Sequence, residues 1–98
     1  MGLNKYFDLT GKVVVITGGA GLMGEKHAEV VAEYGGIPVL IDIDENLAYK
    51  KAIEIRNTYS VDSIGIKCDI TKKADIESVR DKLLSEFGRI DILINNAA

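Results

Sequence analysis

Three glycines spaced three residues apart, Gly18, Gly21 and Gly24, lie where an apolar run gives way to a helical pattern. Gly18 permits a tight turn that a Cβ would obstruct, Gly21 lets a ligand approach the backbone, and Gly24 lets the helix pack against the strand. The amides of the first helical turn, near Leu22 and Met23, then point toward a bound anion along the helix dipole. This spacing predicts a phosphate-binding turn.

An acidic residue after the next apolar run indicates which phosphate compound would bind. By itself, the glycine turn is also compatible with a strand-to-helix connection that binds nothing. Asp42, however, ends the second apolar run, where a carboxylate can accept hydrogen bonds from the ribose hydroxyls of adenosine. Asp44 already suits the role of helix cap. The turn and Asp42 together predict a Rossmann-type dinucleotide site that includes the neighbouring Ile43.

The residues around Asp42 favour NAD over NADP. A carboxylate at this position repels a 2′-phosphate, and an NADP site usually places an arginine or lysine nearby. Ile43 follows Asp42, and no basic residue lies between Gly18 and Gly24. We therefore expect NAD as the cofactor and keep NADP as the alternative. A P-loop is excluded because Glu25 follows Gly24 where that motif requires lysine.

The pattern that positions these residues is an alternation of short apolar runs with segments of helical period. The first run, Val13–Ile16, is apolar on both faces, as is typical of a parallel strand covered on both sides. The pattern predicts a three-layer α/β fold of the order β-α-β-α-β-α-β, with a parallel sheet of strand order 3-2-1-4 that stops after the fourth strand. The whole chain, 1–98, is then one dinucleotide-binding domain.

Local signals set the expected boundaries of these elements. Pro38 is expected at the first position of the second strand, where a missing N–H is tolerated. Asp44 and Thr71 are expected to cap the second and third helices, and Gly88 to end the third. The inward face of the third helix is expected to begin with Ile76. The remaining predicted strands are 64–68 and 90–94.

Composition excludes several other classes of protein. The chain has 98 residues and a net charge of −3, which argues against nucleic acid or an anionic membrane as the main partner. Cys68 is the only cysteine, which fits a reducing compartment. No signal peptide and no membrane-length apolar run is evident, so we expect a cytoplasmic protein. His27 and Cys68 are interpreted as packing residues, and no metal site is predicted.

The chain resembles the short-chain dehydrogenase/reductase family over essentially its whole length. Four motifs carry the resemblance: TGGAGLMG at 17–24, Asp42, CDIT at 68–71, and NNAA at 95–98. The resemblance implies an oxidoreductase that transfers hydride between nicotinamide and an alcohol or carbonyl carbon. It also implies that Asp69 and the Ile70 amide face the adenine, that Asn95 braces the fourth strand, and that Ala97 lies beside the adenine-ribose half of the cofactor.

The glycine spacing departs from the commoner branch of that family, which has glycine where this chain has Leu22. Glycines at 18, 21 and 24 are similar to those of the extended branch, which acts on nucleotide sugars, whereas Asn95-Asn96-Ala97 is similar to the shorter branch. This spacing adds a sugar of surface-polysaccharide biosynthesis as a candidate substrate.

No catalytic residue is assigned, because the family's serine and its Tyr-x-x-x-Lys pair have no counterpart in the 98 residues. The resemblance therefore implies that 1–98 is the N-terminal, dinucleotide-binding part of such an enzyme without its catalytic half, and we expect the chain alone to be inactive as a dehydrogenase. The alternative hypothesis is a genuinely short, non-catalytic module that binds a dinucleotide or associates with itself. In the isolated chain the apolar edge formed by Ile92, Leu93 and Ile94 is uncovered, which predicts a homo-oligomer.

Overall fold

The computed structural model describes residues 8–96, in which strands and helices alternate along the chain. The elements are β1 (Val13–Thr17), α1 (Leu22–Glu33), β2 (Ile37–Asp42), α2 (Glu45–Tyr59), β3 (Ile64–Lys67), α3 (Lys73–Phe87) and β4 (Ile92–Asn95). This sequence of elements confirms the predicted β-α-β-α-β-α-β order.

The four strands form one parallel sheet in the order β3-β2-β1-β4. Helices α1 and α2 pack on one face of the sheet, and α3 packs on the other. The arrangement follows from right-handed crossovers, which change face when the chain returns from β3 to the far side of β1. The predicted three-layer architecture and the strand order 3-2-1-4 are both confirmed.

The core divides into two layers because successive side chains of a strand point to opposite faces. In β1, Val14 and Ile16 pack toward α1 and α2, whereas Val13 and Val15 pack toward α3. All four are buried. An uninterrupted apolar strand is therefore the sequence signature of a sheet covered on both sides.

The ends of α2 and α3 show which local sequence signals predicted a helix boundary correctly. The carboxylate of Asp44 caps α2 by accepting a hydrogen bond from the Leu47 amide at 3.1 Å, and α3 ends at Gly88, whose φ is +73°. Both features were predicted. The cap at Thr71 was wrong, because its amide and hydroxyl both donate to Asp69 and hold Thr71 in the preceding loop.

Other boundaries also differ from the expectation, and β3 ends at Lys67 and not at Cys68. Pro38 is the second residue of β2, not the first. Its nitrogen is tolerated there because the pairing of β2 with β3 begins only at Val39. The fourth strand begins at Ile92 and not at Ile90, since the Asp91 carboxylate and amide are both engaged with Val13 at the start of β1.

The inward face of α3 is narrower than predicted. Val79 and Leu83 are buried, but Ile76 remains 47% exposed. Ile76 lies beside an apolar groove of about 360 Å³ between α3 and β4, which Leu93 also lines. No helix in the described part of the chain has the length and apolarity needed to cross a membrane.

Candidate dinucleotide-binding site

The connection from β1 to α1 is a tight turn held by backbone contacts. Gly18 has a φ of +61°, a conformation that favours glycine. Its carbonyl oxygen accepts a hydrogen bond from the Gly21 amide at 3.0 Å. The Gly19 amide donates to the carbonyl oxygen of Ile41 in the neighbouring strand at 3.1 Å. The turn is therefore fixed against β2 as well as within itself.

Gly24 brings α1 into direct contact with this turn. A Cβ on Gly24 would lie 2.2 Å from the Gly18 carbonyl oxygen and 2.7 Å from the Gly19 Cα, which is closer than atoms can approach. A Cβ on Gly21 would lie 3.3 Å from the same carbonyl oxygen. The roles predicted for Gly18 and Gly24, turn formation and close packing, agree with this geometry.

The start of α1 exposes backbone donors. Gly21 is the N-cap, and the first backbone hydrogen bond of the helix runs from the Glu25 amide to the Gly21 carbonyl oxygen at 2.9 Å. The amides of Leu22, Met23 and Gly24 precede that bond and therefore have no acceptor within the helix. Leu22 and Met23 are 73% and 61% exposed, so an anion can reach this end of the helix.

Asp42 ends β2 beside the glycine turn. One oxygen of its carboxylate accepts a hydrogen bond from the Ala20 amide at 3.1 Å, and the other accepts from the Asp44 amide at 3.0 Å. The carboxylate is thus held at the junction of the turn and α2. Ile43, which follows it, is exposed, and no basic side chain intervenes between Asp42 and Asp44.

The loop after β3 is ordered around Asp69. Its carboxylate accepts hydrogen bonds from the Thr71 hydroxyl at 2.6 Å and the Thr71 amide at 2.9 Å, while its own amide donates to Asp75 of α3. The hydroxyl, followed by the amide, lowers the pKa of the Asp69 carboxyl group. Asp69 therefore stays ionised as an acceptor, and Ile70 next to it is partly exposed.

Asn95 joins β4 to β1. Its side-chain oxygen accepts a hydrogen bond from the Thr17 hydroxyl at 2.7 Å, and the Asn96 amide donates to that hydroxyl at 3.0 Å. The residue lies opposite Thr17 in the parallel register. Ala97, the other residue assigned to this segment, lies outside the described residues.

Parallel register brings most of the predicted site residues to one edge of the sheet. Thr17 pairs with Ile41 and Asn95, and Asp42 pairs with Lys67. The glycine turn, Asp42, Asp69 and Asn95 consequently follow the carboxyl ends of four adjacent strands. This edge is where open parallel sheets bind ligands.

These residues fit a dinucleotide. The glycines keep side chains away from the start of α1, where amides without an acceptor in the helix can bind a pyrophosphate. Carboxylates at the ends of β2 and β3 offer acceptors to ribose hydroxyls and to an exocyclic amine. Exposed backbone amides and hydrogen-bonded carboxylates are groups that bind and position a ligand, and the geometry supports that role.

Sequence reasoning missed three residues that shape the site. Gly19 passes so close to β2 that a Cβ there would lie 2.8 Å from the Leu40 Cα. The Ala20 amide holds Asp42, and the Asp75 carboxylate holds the Asp69 amide. The helical pattern around Asp75 gave no signal for this contact, whereas the second glycine of a Gly-Gly pair could have been read as a close approach.

Cys68 and His27, which are interpreted from the sequence as packing residues, differ in how deeply they are buried. Cys68 is buried just after β3, and burial, together with the charges of Asp75 and Asp69, raises the pKa of its thiol. A raised pKa disfavours the nucleophilic thiolate. His27 is partly buried on α1. In residues 8–96, no cluster of three or more His, Cys, Asp or Glu side chains could hold a metal ion.

Comparison with known proteins places this geometry in a family. Residues 12–98 match the family model described as short chain dehydrogenase. The NAD-dependent glycerol dehydrogenase of Listeria innocua is 38% identical over 96 residues, which make up 98% of this chain and 36% of that protein.

Solved structures give the same result. NAD+-bound xylitol dehydrogenase superposes with a TM-score of 0.86 at 31% identity, covering 92% of this chain and 34% of the other. The NADPH-dependent 3-quinuclidinone reductase of Rhodotorula rubra superposes with a TM-score of 0.86 at 27% identity, covering 93% and 34%. This chain spans about a third of the length of the proteins it matches, and it belongs to the short-chain dehydrogenase family of oxidoreductases.

Proposed function

We propose that this chain is the NAD(H)-binding portion of an oxidoreductase that moves hydride between nicotinamide and an alcohol or carbonyl substrate. The nicotinamide supplies the hydride chemistry when the cofactor is bound. The amides at the start of α1 hold the pyrophosphate, and Asp42 holds the adenosine ribose. Asp69 and the Ile70 amide contact the adenine, Asn95 braces β4, and Ala97 borders the adenine-ribose half of the cofactor.

The observation that carries the choice of NAD is the position of the Asp42 carboxylate. It lies 3.1 Å from the Ala20 amide inside the glycine turn, and the next residues are Ile43 and a second aspartate. A 2′-phosphate beside Asp42 would be repelled by this carboxylate. The relatives do not decide the matter, because their names include both NAD and NADPH.

Titration of the chain with NADH and NADPH, followed by cofactor fluorescence, tests this assignment. We expect NADH to bind at least tenfold more tightly, since unpaired like charges at a binding site cost about 1.4 kcal/mol or more. Asp42→Asn should narrow the preference. Asp44→Asn is the matched control, because it removes an equal charge from the helix cap and should leave the ratio nearly unchanged. Tighter binding of NADPH by the unaltered chain would overturn the assignment.

The substrate is proposed less specifically than the cofactor, as a compound with an alcohol or carbonyl carbon. The relatives are named for glycerol, xylitol and 3-quinuclidinone, which have only a hydroxyl or carbonyl carbon in common. A sugar of surface-polysaccharide biosynthesis, suggested by the glycine spacing, stays a prediction. Assay of a full-length protein that contains this sequence, against a panel of sugars and simple alcohols, would test it.

The 98-residue chain alone is proposed to be catalytically incompetent. It contains no Tyr-x-x-x-Lys sequence that could supply a general acid or base. Steady oxidation of NADH by the purified chain in the presence of carbonyl substrates would refute this statement.

Self-association is a second proposal, for which the exposure of β4 is the specific observation. Leu93 is 64% exposed on the α3 side, whereas Ile94 packs toward α1 and Ile92 is partly exposed. The three residues therefore do not form one surface, but the strand that carries them has no second partner strand in residues 8–96. Light scattering should detect a dimer or larger assembly, and a monomer at high micromolar concentration would contradict it.

A further inference from the structure

A cluster of charged side chains lies between α1 and α2, outside the glycine turn. The Lys51 ammonium group on α2 is 2.9 Å from the Glu25 carboxylate on α1 and 3.9 Å from that of Glu54. The Lys51 and Glu25 side chains are only 21% and 27% exposed. With Glu29 they line a small cavity of about 100 Å³ between the two helices.

Lys51 is the only basic side chain among the described residues that line this cavity, and three carboxylates surround it. The hydrogen bond to Glu25 is the largest influence that raises the pKa of the Lys51 ammonium group, and the charges of Glu54 and Glu29 add to it. Lys51 therefore remains protonated and offsets one of the three negative charges.

Glu25 occupies a sensitive position on α1. Its amide makes the first hydrogen bond of the helix, to Gly21, so Glu25 lies roughly 6 Å along the axis from the cap. A carboxylate near a helix N-terminus is attracted by the same partial positive charge that attracts phosphate. An unpaired Glu25 would therefore reduce the potential available to a pyrophosphate.

We propose that Lys51 neutralises Glu25 beside the phosphate-binding end of α1 and thereby raises the affinity of the glycine turn for a pyrophosphate. Lys51 acts through Glu25 and does not touch the ligand. The inference rests on the proposed function, namely that this turn binds a dinucleotide.

A purely mechanical tie between the helices is the competing explanation. Both explanations predict weaker binding when Lys51 is replaced. They differ for Glu25→Gln, which breaks the ion pair but also removes a negative charge. The electrostatic explanation predicts tighter binding of a pyrophosphate to this variant, whereas a mechanical tie predicts weaker binding.

The experiment compares two probes by NMR chemical-shift titration of the labelled 98-residue chain at low ionic strength. ADP-ribose carries the pyrophosphate, and adenosine carries none. Lys51→Met should weaken ADP-ribose binding about threefold and Glu25→Gln should strengthen it about twofold, the size expected of one charge near a helix terminus. Neither variant should change the affinity for adenosine. Lys50→Met, an equal charge change at an exposed neighbour, should have a smaller effect.

Salt provides a second measurement. In about 1 M salt, where the screening length is roughly 3 Å, the differences between the variants should shrink markedly. Weaker ADP-ribose binding by both Lys51→Met and Glu25→Gln, or a parallel loss for adenosine, would overturn the inference and leave the proposed function intact. If the unaltered chain binds neither probe, the proposed function fails, and this inference fails with it.

Discussion

The two faces of the sheet differ in how closely their helices approach it. On the face covered by α1 and α2, buried side chains are joined by points of direct contact at the backbone. A Cβ on Gly65 of β3 would lie 2.4 Å from the Ala48 carbonyl carbon of α2, and a Cβ on Gly24 would collide with the glycine turn. On the opposite face, α3 contacts the sheet through the buried side chains of Val79 and Leu83 and leaves an open apolar groove beside β4.

This difference shows how the chain fixes its binding turn. Contact between backbones leaves no side chain that could rotate to absorb a shift, so the start of α1 is fixed relative to β1 and β2. Contact through side chains leaves more freedom, because rotamers can adjust to small displacements. The phosphate-binding turn lies on the face where the helices have less freedom to shift relative to the sheet. This restriction favours amides that are preorganised for binding.

The strongest test of the comparison is a matched pair of core truncations. Leu40 packs toward α1 and α2, and Leu83 packs toward β1 and β2 from α3; both are fully buried. We expect Leu40→Ala to cost about 5 kcal/mol and Leu83→Ala about 3 kcal/mol, because a site bordering a groove collapses or hydrates more easily. Urea unfolding measures both, and the reverse order would contradict the proposed contrast between the faces.

A matched pair of glycine substitutions gives a smaller effect. Gly24→Ala should cost about 3 kcal/mol through overpacking and should also abolish detectable dinucleotide binding, because α1 must move away from the turn. Gly88→Ala, at a position of φ +73° with open space around it, should cost about 1 kcal/mol through backbone strain alone. Thermal unfolding and cofactor titration separate the two effects. Equal binding by both variants would indicate that close packing at Gly24 is not needed.

The smallest expected effect concerns the contact between β4 and β1. The Arg89 side chain, followed by the Val13 amide at 2.8 Å, lowers the pKa of the Asp91 carboxyl group below its usual 3.8. Its ionised form therefore stabilises the fold above about pH 4, and this contribution is lost as the pH falls through the lower pKa of the folded state.

Asp91→Asn should consequently reduce stability at neutral pH and have progressively less effect below pH 3.8. Urea unfolding between acid and neutral pH measures this difference. Asp81→Asn is the control, since Asp81 pairs with Arg80 on the exposed face of α3 and should matter little at any pH. A pH-independent difference for Asp91→Asn would show that its ionised form is not the stabilising feature.

Local patterns were sufficient for most of the fold. Strands of continuous apolar residues and helices with one apolar face follow from periodicity, and the parallel order follows from crossovers of fixed hand. Two of the errors occurred where a residue made a hydrogen bond that the local pattern does not indicate. Thr71 does not cap α3, because its amide and hydroxyl donate hydrogen bonds to Asp69. The Asp91 carboxylate accepts a hydrogen bond from the Val13 amide, and β4 begins only after it.

The sequence by itself determined the glycine turn, the acidic end of β2 and the order of the elements, because each depends on residues close together in the chain. Only the tertiary structure decided that Asp42 is held by the Ala20 amide and that Lys51 pairs with Glu25. Those contacts join separate elements, and their distances are set by sheet register and helix packing. No local pattern encodes such distances, since a small change in the sheet register or in the helix packing would separate the partners.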